Sequence, residues 1–192
     1  MTEVAMLCWD RPNANKYHLV EQVGGVEAAH VYAHLMEGKR LTEPDVAALV
    51  FSGTEIKNGV WPDYADLMAG LCLFSPRLIE ILCDACDNPD DVYQFFEPQW
   101  MSKPDGTPDY KICNLLDVRL DAYAGDKVML TPDDPEVPHG RVSFVDKAKV
   151  QGSKHLIRLL AGRVIAVQPL LGELIDQSVT GIWFRNRVRW VE

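Results

Sequence analysis

The sequence has no apolar run long enough to cross a bilayer. Runs such as Val164–Val167, with Pro169–Leu171 beyond, fall far short of the roughly 20 residues a spanning helix needs. The start, Met1-Thr2-Glu3-Val4, lacks the basic lead and apolar stretch of a secretion signal, so the expectation is a cytoplasmic protein with no membrane contact. Cysteine is sparse. The five residues Cys8, Cys72, Cys83, Cys86 and Cys113 are odd in number and lie in apolar surroundings, which suits reduced thiols and argues against a secreted disulfide framework. Repeats and low-complexity tracts are missing. Gly24-Gly25 and Gly70 lack the spacing and the lysine of a phosphate loop, and no dinucleotide fingerprint is present. Ser52 and Ser75 lack the glycines that flank the serine of a nucleophile elbow. No catalytic residue and no cofactor are expected.

What is present is acid, unevenly placed. Residues 1–140 carry 24 acidic against 10 basic side chains, while residues 141–192 carry 4 against 9, for a net charge of −9. Such a surface repels nucleic acid and anionic membranes and favours a basic partner, besides keeping the protein soluble. The 192 residues, 47% hydrophobic, suffice for one core with an attached N-terminal subdomain.

Turn residues and periodicity predict an α+β fold, a mostly antiparallel sheet in the C-terminal two-thirds with a few short helices and a smaller N-terminal subdomain. Residues 1–69 form the N-terminal extension and 70–192 the main domain. Glu3–Trp9 reads as a strand, Val26–Glu37 as a helix with Gly38 at its C-cap, and Val46–Phe51 as a strand. Gly53–Pro62 is loop-like. Ser75-Pro76 starts a helix that Asp87-Asn88-Pro89 ends, serine capping the free amides and proline fitting the first turn. Strands are then expected at Val92–Phe96, Tyr110–Leu116, Arg119–Tyr123, Lys127–Leu130, Arg141–Val145, His155–Leu160, Arg163–Val167 and Ile182–Trp190. A helix runs from Gln168-Pro169 to about Gln177, and Thr131–Pro138 is an exposed loop.

Four features invite a chemical reading. Glu27, His30, His34 and Glu37 share one helical face and could ligate a divalent metal, the basis of an alternative reading as a small metal-dependent enzyme. They also make the polar face an amphipathic helix shows to water, and no glutamate directly follows the first histidine. Cys83-Asp84-Ala85-Cys86 has redox spacing, but it sits at the negative end of its helix beside acids, which disfavours thiolate. Trp183, Arg185, Arg187 and Arg189 share one face of the last strand, either a nucleic-acid stacking ladder or a charged edge protected against aggregation. The acidic clusters Asp84, Asp87, Asp90, Asp91 and Asp133, Asp134, Glu136 do not keep the alternating ligands of a calcium loop. Asp87, Asp90, Asp91, Asp133, Asp134 and Glu136 are the candidate partner-binding residues, speeding the docking of a basic protein. Trp9, Trp61 and Trp100 are anchor candidates if exposed and core residues if not.

From Gly70 onward the order of features resembles the immunity protein 11 family of bacterial polymorphic toxin systems. The likeness runs through the helix Phe74–Leu82, then Tyr93-Gln94-Phe95-Phe96-Glu97-Pro98, Tyr110–Asp117 with its buried-looking Asn114, and Leu120-Asp121-Ala122. It continues through Val150-Gln151-Gly152, His155–Leu159, Val164–Val167, a helix, and Val179–Phe184. Leu156-Ile157-Arg158 departs from it, since the family often shows an aromatic there. The resemblance implies a cytoplasmic protein that binds a cognate toxin and neutralises it by occlusion, without catalytic residues of its own. Residues 1–69 carry no likeness.

Overall fold

The structure, a computed structural model, describes residues 4–9, 15–24, 29–68, 71–130, 138–185 and 188–191. Along the chain come β1 (Val4–Trp9), β2 (Leu19–Gly24), α1 (Ala29–Glu37), α2 (Glu43–Val46), β3 (Val50–Thr54), β4 (Tyr64–Met68) and β5 (Leu71–Phe74). Next are α3 (Pro76–Ala85), α4 (Pro89–Val92), β6 (Tyr93–Phe96), β7 (Gln99–Ser102), β8 (Lys111–Leu115), β9 (Tyr123–Leu130) and β10 (Pro138–Asp146). The chain finishes with α5 (Lys147–Val150), β11 (Ile157–Arg158), β12 (Val164–Val167), α6 (Leu170–Asp176), β13 (Ile182–Arg185) and β14 (Val188–Val191). The fold is α+β, with four mostly antiparallel sheets and short helices.

Strand alternation explains the layering. In β1, Ala5 and Leu7 point into one core while Val4 and Met6 point into another, because successive side chains leave a strand on opposite faces. β12 divides likewise, with Val164 and Ala166 in the first core and Ile165 and Val167 in the other. β5 sends Cys72 and Phe74 into the same first core and Leu71 and Leu73 to the outer face of its own sheet. The all-antiparallel sheets β11-β12-β1-β13 and β4-β5-β8-β6 therefore sandwich a central core that α3 and α6 complete. On the outer face of the β5 sheet, α1 and β3 cover a second core around Val31, Leu35 and Phe51. On the outer face of the β1 sheet, β10, β14 and α5 cover a third around Val145, Val150 and Val188. Strands buried on both faces read as unbroken apolar runs, as Leu71–Phe74 and Val164–Val167 do.

The segments divided at residue 69 share sheets and cores. β1 lies between β12 and β13, and β4 pairs with β5. Arg158, fully buried, ties them further: its guanidinium donates to the Leu35 carbonyl near the C-terminal end of α1, where a cation suits the helix dipole. Arg158 occupies the stretch where the resemblance leads one to expect an aromatic. Asn114 is buried as expected, its amide donating to the Lys39 carbonyl and to Gln94 Oε1. Gly38 ends α1 at φ +65, and a Cβ there would stand 2.6 Å from the Leu116 carbonyl oxygen.

Several elements differ from expectation. The stretch predicted as a Val46–Phe51 strand holds the end of α2 and the start of β3, because Asp45 accepts hydrogen bonds from the Thr42 amide and hydroxyl and locks a helical turn. Arg119–Tyr123 gives a 3₁₀ turn over Leu120–Ala122 before β9 begins. His155–Leu160 contributes only the two-residue β11. Ile182–Trp190 is two strands in two sheets: β13 pairs with β1, and β14 runs parallel to β10. The start predicted for α1, Val26–Ala28, lies outside the described residues.

Candidate functional site

Helix α3 begins where the Ser75 hydroxyl accepts from the Leu78 amide, with Pro76 in its first turn. Its apolar side buries Leu78 and Leu82 in the central core, and its opposite side shows Arg77, Glu80 and Asp84 to solvent. Asp63 fixes the start of the helix. It is 7% exposed and accepts from Ser75 Oγ (2.8 Å), Arg77 Nη1 (2.8 Å), the Thr180 amide (2.9 Å) and Thr180 Oγ1 (2.9 Å). Helix α6 packs beside α3, burying Leu170, Leu171 and Leu174 and exposing Glu173.

Between these helices lies a groove of about 790 Å³. Ile81 and Leu170 line its apolar part, and Glu80, Asp84 and Glu173 its acidic part. The cations along it are already engaged. Arg77 pairs with Asp63 at 2.8 Å and donates to the Gln177 carbonyl, and Lys154 pairs with Asp87 at 3.0 Å. Among the described residues, Glu80, Asp84 and Glu173 have no ion-pair partner.

The groove continues into the turn after α3, where Asp87, Asp90 and Asp91 are all exposed. Asp87 meets both the groove and a second cavity of about 410 Å³, whose wall includes Cys86, Asp91, Arg119 and His155. Behind that wall Asp117 accepts from Arg119 Nε (2.9 Å) and Nη2 (2.5 Å), and its Oδ2 lies 2.7 Å from His155 Nε2. Burial pushes the Asp117 carboxyl up, but the hydrogen bonds from His155 and Arg119 outweigh it and hold the group below its usual range. This trio braces the β8–β9 connection against the loop before β11.

The remaining candidates disperse. Asp133, Asp134 and Glu136 lie outside the described residues, as does Glu27. On α1, Glu37 pairs with Lys39 at 2.5 Å, whose hydrogen bond and charge hold the carboxyl low. His30 turns instead to Asp45, at 3.8 Å, and its ring centre stands 6.2 Å from that of His34, edge-on. Among the described residues no three histidine, cysteine or carboxylate side chains form a metal-binding group. The Cys83 thiol is pushed up, by burial first and then by Cys86, Asp84 and Asp90, in keeping with its place at the negative end of α3. Arg185 and Arg189 fall in different sheets, so they do not belong to one continuous ladder. Trp61 and Trp100 pack against the second core, the Trp9 side chain lies outside the described residues, and Trp183 is exposed.

Glu80 and Glu173 are the residues sequence reading passed over. The outward face of α3 was legible as a helical stripe, whereas its pairing with Glu173 needed the contact between α3 and α6. The chain matches no protein-family model and none of the curated proteins with which it was compared.

Proposed function

We propose that the protein is an immunity protein, binding a cognate toxin in the cytoplasm and neutralising it by occlusion. The reading rests on the resemblance over residues 70–192. One observation carries it further: the exposed Asp87, Asp90 and Asp91 adjoin a groove in which Glu80, Asp84 and Glu173 lack ion-pair partners among the described residues, Asp87 alone of its carboxylates being paired, with Lys154. A concave acidic surface of this kind suits a basic protein, raising the encounter rate and selecting against acidic competitors. Occlusion needs an interface on the order of 1,600 Å² anchored by a few residues, and it needs no chemistry from the inhibitor.

The reading expects a neighbouring gene to encode a toxin domain, and the test is co-expression of the protein with that domain. The expected outcome is restored growth and co-elution of the two products, with binding that weakens as salt rises. Unrelieved toxicity with no complex formed overturns the reading.

A further inference from the structure

We propose that the α3–α6 groove seats a basic segment of the partner: an apolar side chain on the floor at Ile81 and Leu170, flanked by arginine or lysine side chains on Glu80, Asp84 and Glu173. The inference rests on the binding function proposed above and specifies the chemistry of the partner.

The charge arrangement in the groove works against the free protein. Glu80 and Asp84 are four residues apart on α3, the spacing at which like charges face each other and oppose the helix. Asp84 lies in the last turn, where the carbonyl ends make acid unfavourable, and that turn holds no basic residue. Glu173 adds a third carboxylate from α6. The protein has cations at both cavities, yet Arg77 is committed to Asp63 and Lys154 to Asp87. Carboxylates without an ion-pair partner among the described residues, set beside an apolar floor, make a surface that a cationic segment complements. A metal ion is a poorer occupant, because these side chains do not form a three-donor group. A segment pairing cations with an aliphatic side chain uses both the rim and the floor.

The probe is an alanine-based helical peptide with two arginines four residues apart flanking a leucine, alongside a copy with glutamine for arginine. Amide shifts of the ¹⁵N-labelled full chain are followed at low salt. The arginine peptide is expected to move resonances of α3 and α6, and the glutamine peptide to move none. The triple variant Glu80→Gln/Asp84→Asn/Glu173→Gln is expected to bind at least tenfold more weakly while unfolding at the same or higher temperature. A control replacing Glu43, Glu55 and Asp105 by amides removes the same charge elsewhere and is expected to keep binding. Equal binding by the triple variant and the wild type, equal losses in the triple variant and the control, or shifts confined to other elements overturns the groove assignment. Toxin co-expression separates the two levels. Full protection and affinity in the triple variant sinks the groove and leaves the immunity reading standing. A groove that takes the arginine peptide in a protein that neutralises no toxin sinks the immunity reading.

Discussion

At the scale of single residues, two carboxylates set back from solvent are each met by several donors. Asp63 collects four hydrogen bonds, and Asp117 holds Arg119 and His155. Asp117 makes stability depend on pH in a definite direction. Its folded carboxyl titrates below the unfolded value of about 3.9, so its contribution is present above that pH and is lost as pH falls through the folded value. Asp117→Asn is expected to cost about 1–3 kcal/mol at neutral pH and to flatten the acid limb of the stability curve. Urea unfolding at a series of pH values checks this, and an unchanged acid limb rejects it.

At the scale of elements, helix α3 is held by polar contacts at its N-terminal end and by apolar packing along its length. The Ser75 cap, Asp63 and Thr180 join the start of β4, the start of α3 and the turn after α6 in one hydrogen-bonded node. Gly181 belongs to this join: at φ +81, a Cβ would lie 2.6 Å from that of Pro62. Asp63→Ala leaves the donors of Ser75, Arg77 and Thr180 without their acceptor, and about 2–4 kcal/mol of stability is expected to go. Asp63→Asn, which keeps some of the acceptors, is expected to lose less. Denaturant midpoints for the two variants decide it, and equal losses would show that the charge and second acceptor oxygen, rather than the shape of the side chain, carry the node. Because the same node orients α3 against α6, its loss should also blur the groove.

At the scale of the whole molecule, β1 is the strand on which two cores depend. It pairs with β12 on one side and β13 on the other and contributes side chains to both faces. A fragment starting at residue 70 loses that strand and the β4 partner of β5, leaving apolar faces of both central sheets open. It is expected to show no cooperative thermal transition by circular dichroism, whereas the full chain does. A cooperative transition in the fragment would instead support residues 70–192 as an independent domain.

Much of this was legible in the order of amino acids because it is local. The Ser75-Pro76 helix start, the C-cap at Gly38, the strand at β1 and the acid bias of residues 1–140 each lie within a few neighbours or in composition. The α2 turn at Thr42–Asp45 was equally local and was passed over in favour of the apolar run after it. Pairing is another matter. Which sheet takes β13 and which takes β14 depends on partners far along the chain, and an apolar strand suits either. The acidic turn at Asp87–Asp91 could be named from the sequence. That Glu80 and Asp84 share a groove with Glu173, while Arg77 and Lys154 are committed elsewhere, was decided only when burial of Leu82, Leu170 and Leu174 in one core brought α3 and α6 side by side. Apolar burial sets where the helices lie, and the charges on their outer faces go where the packing carries them.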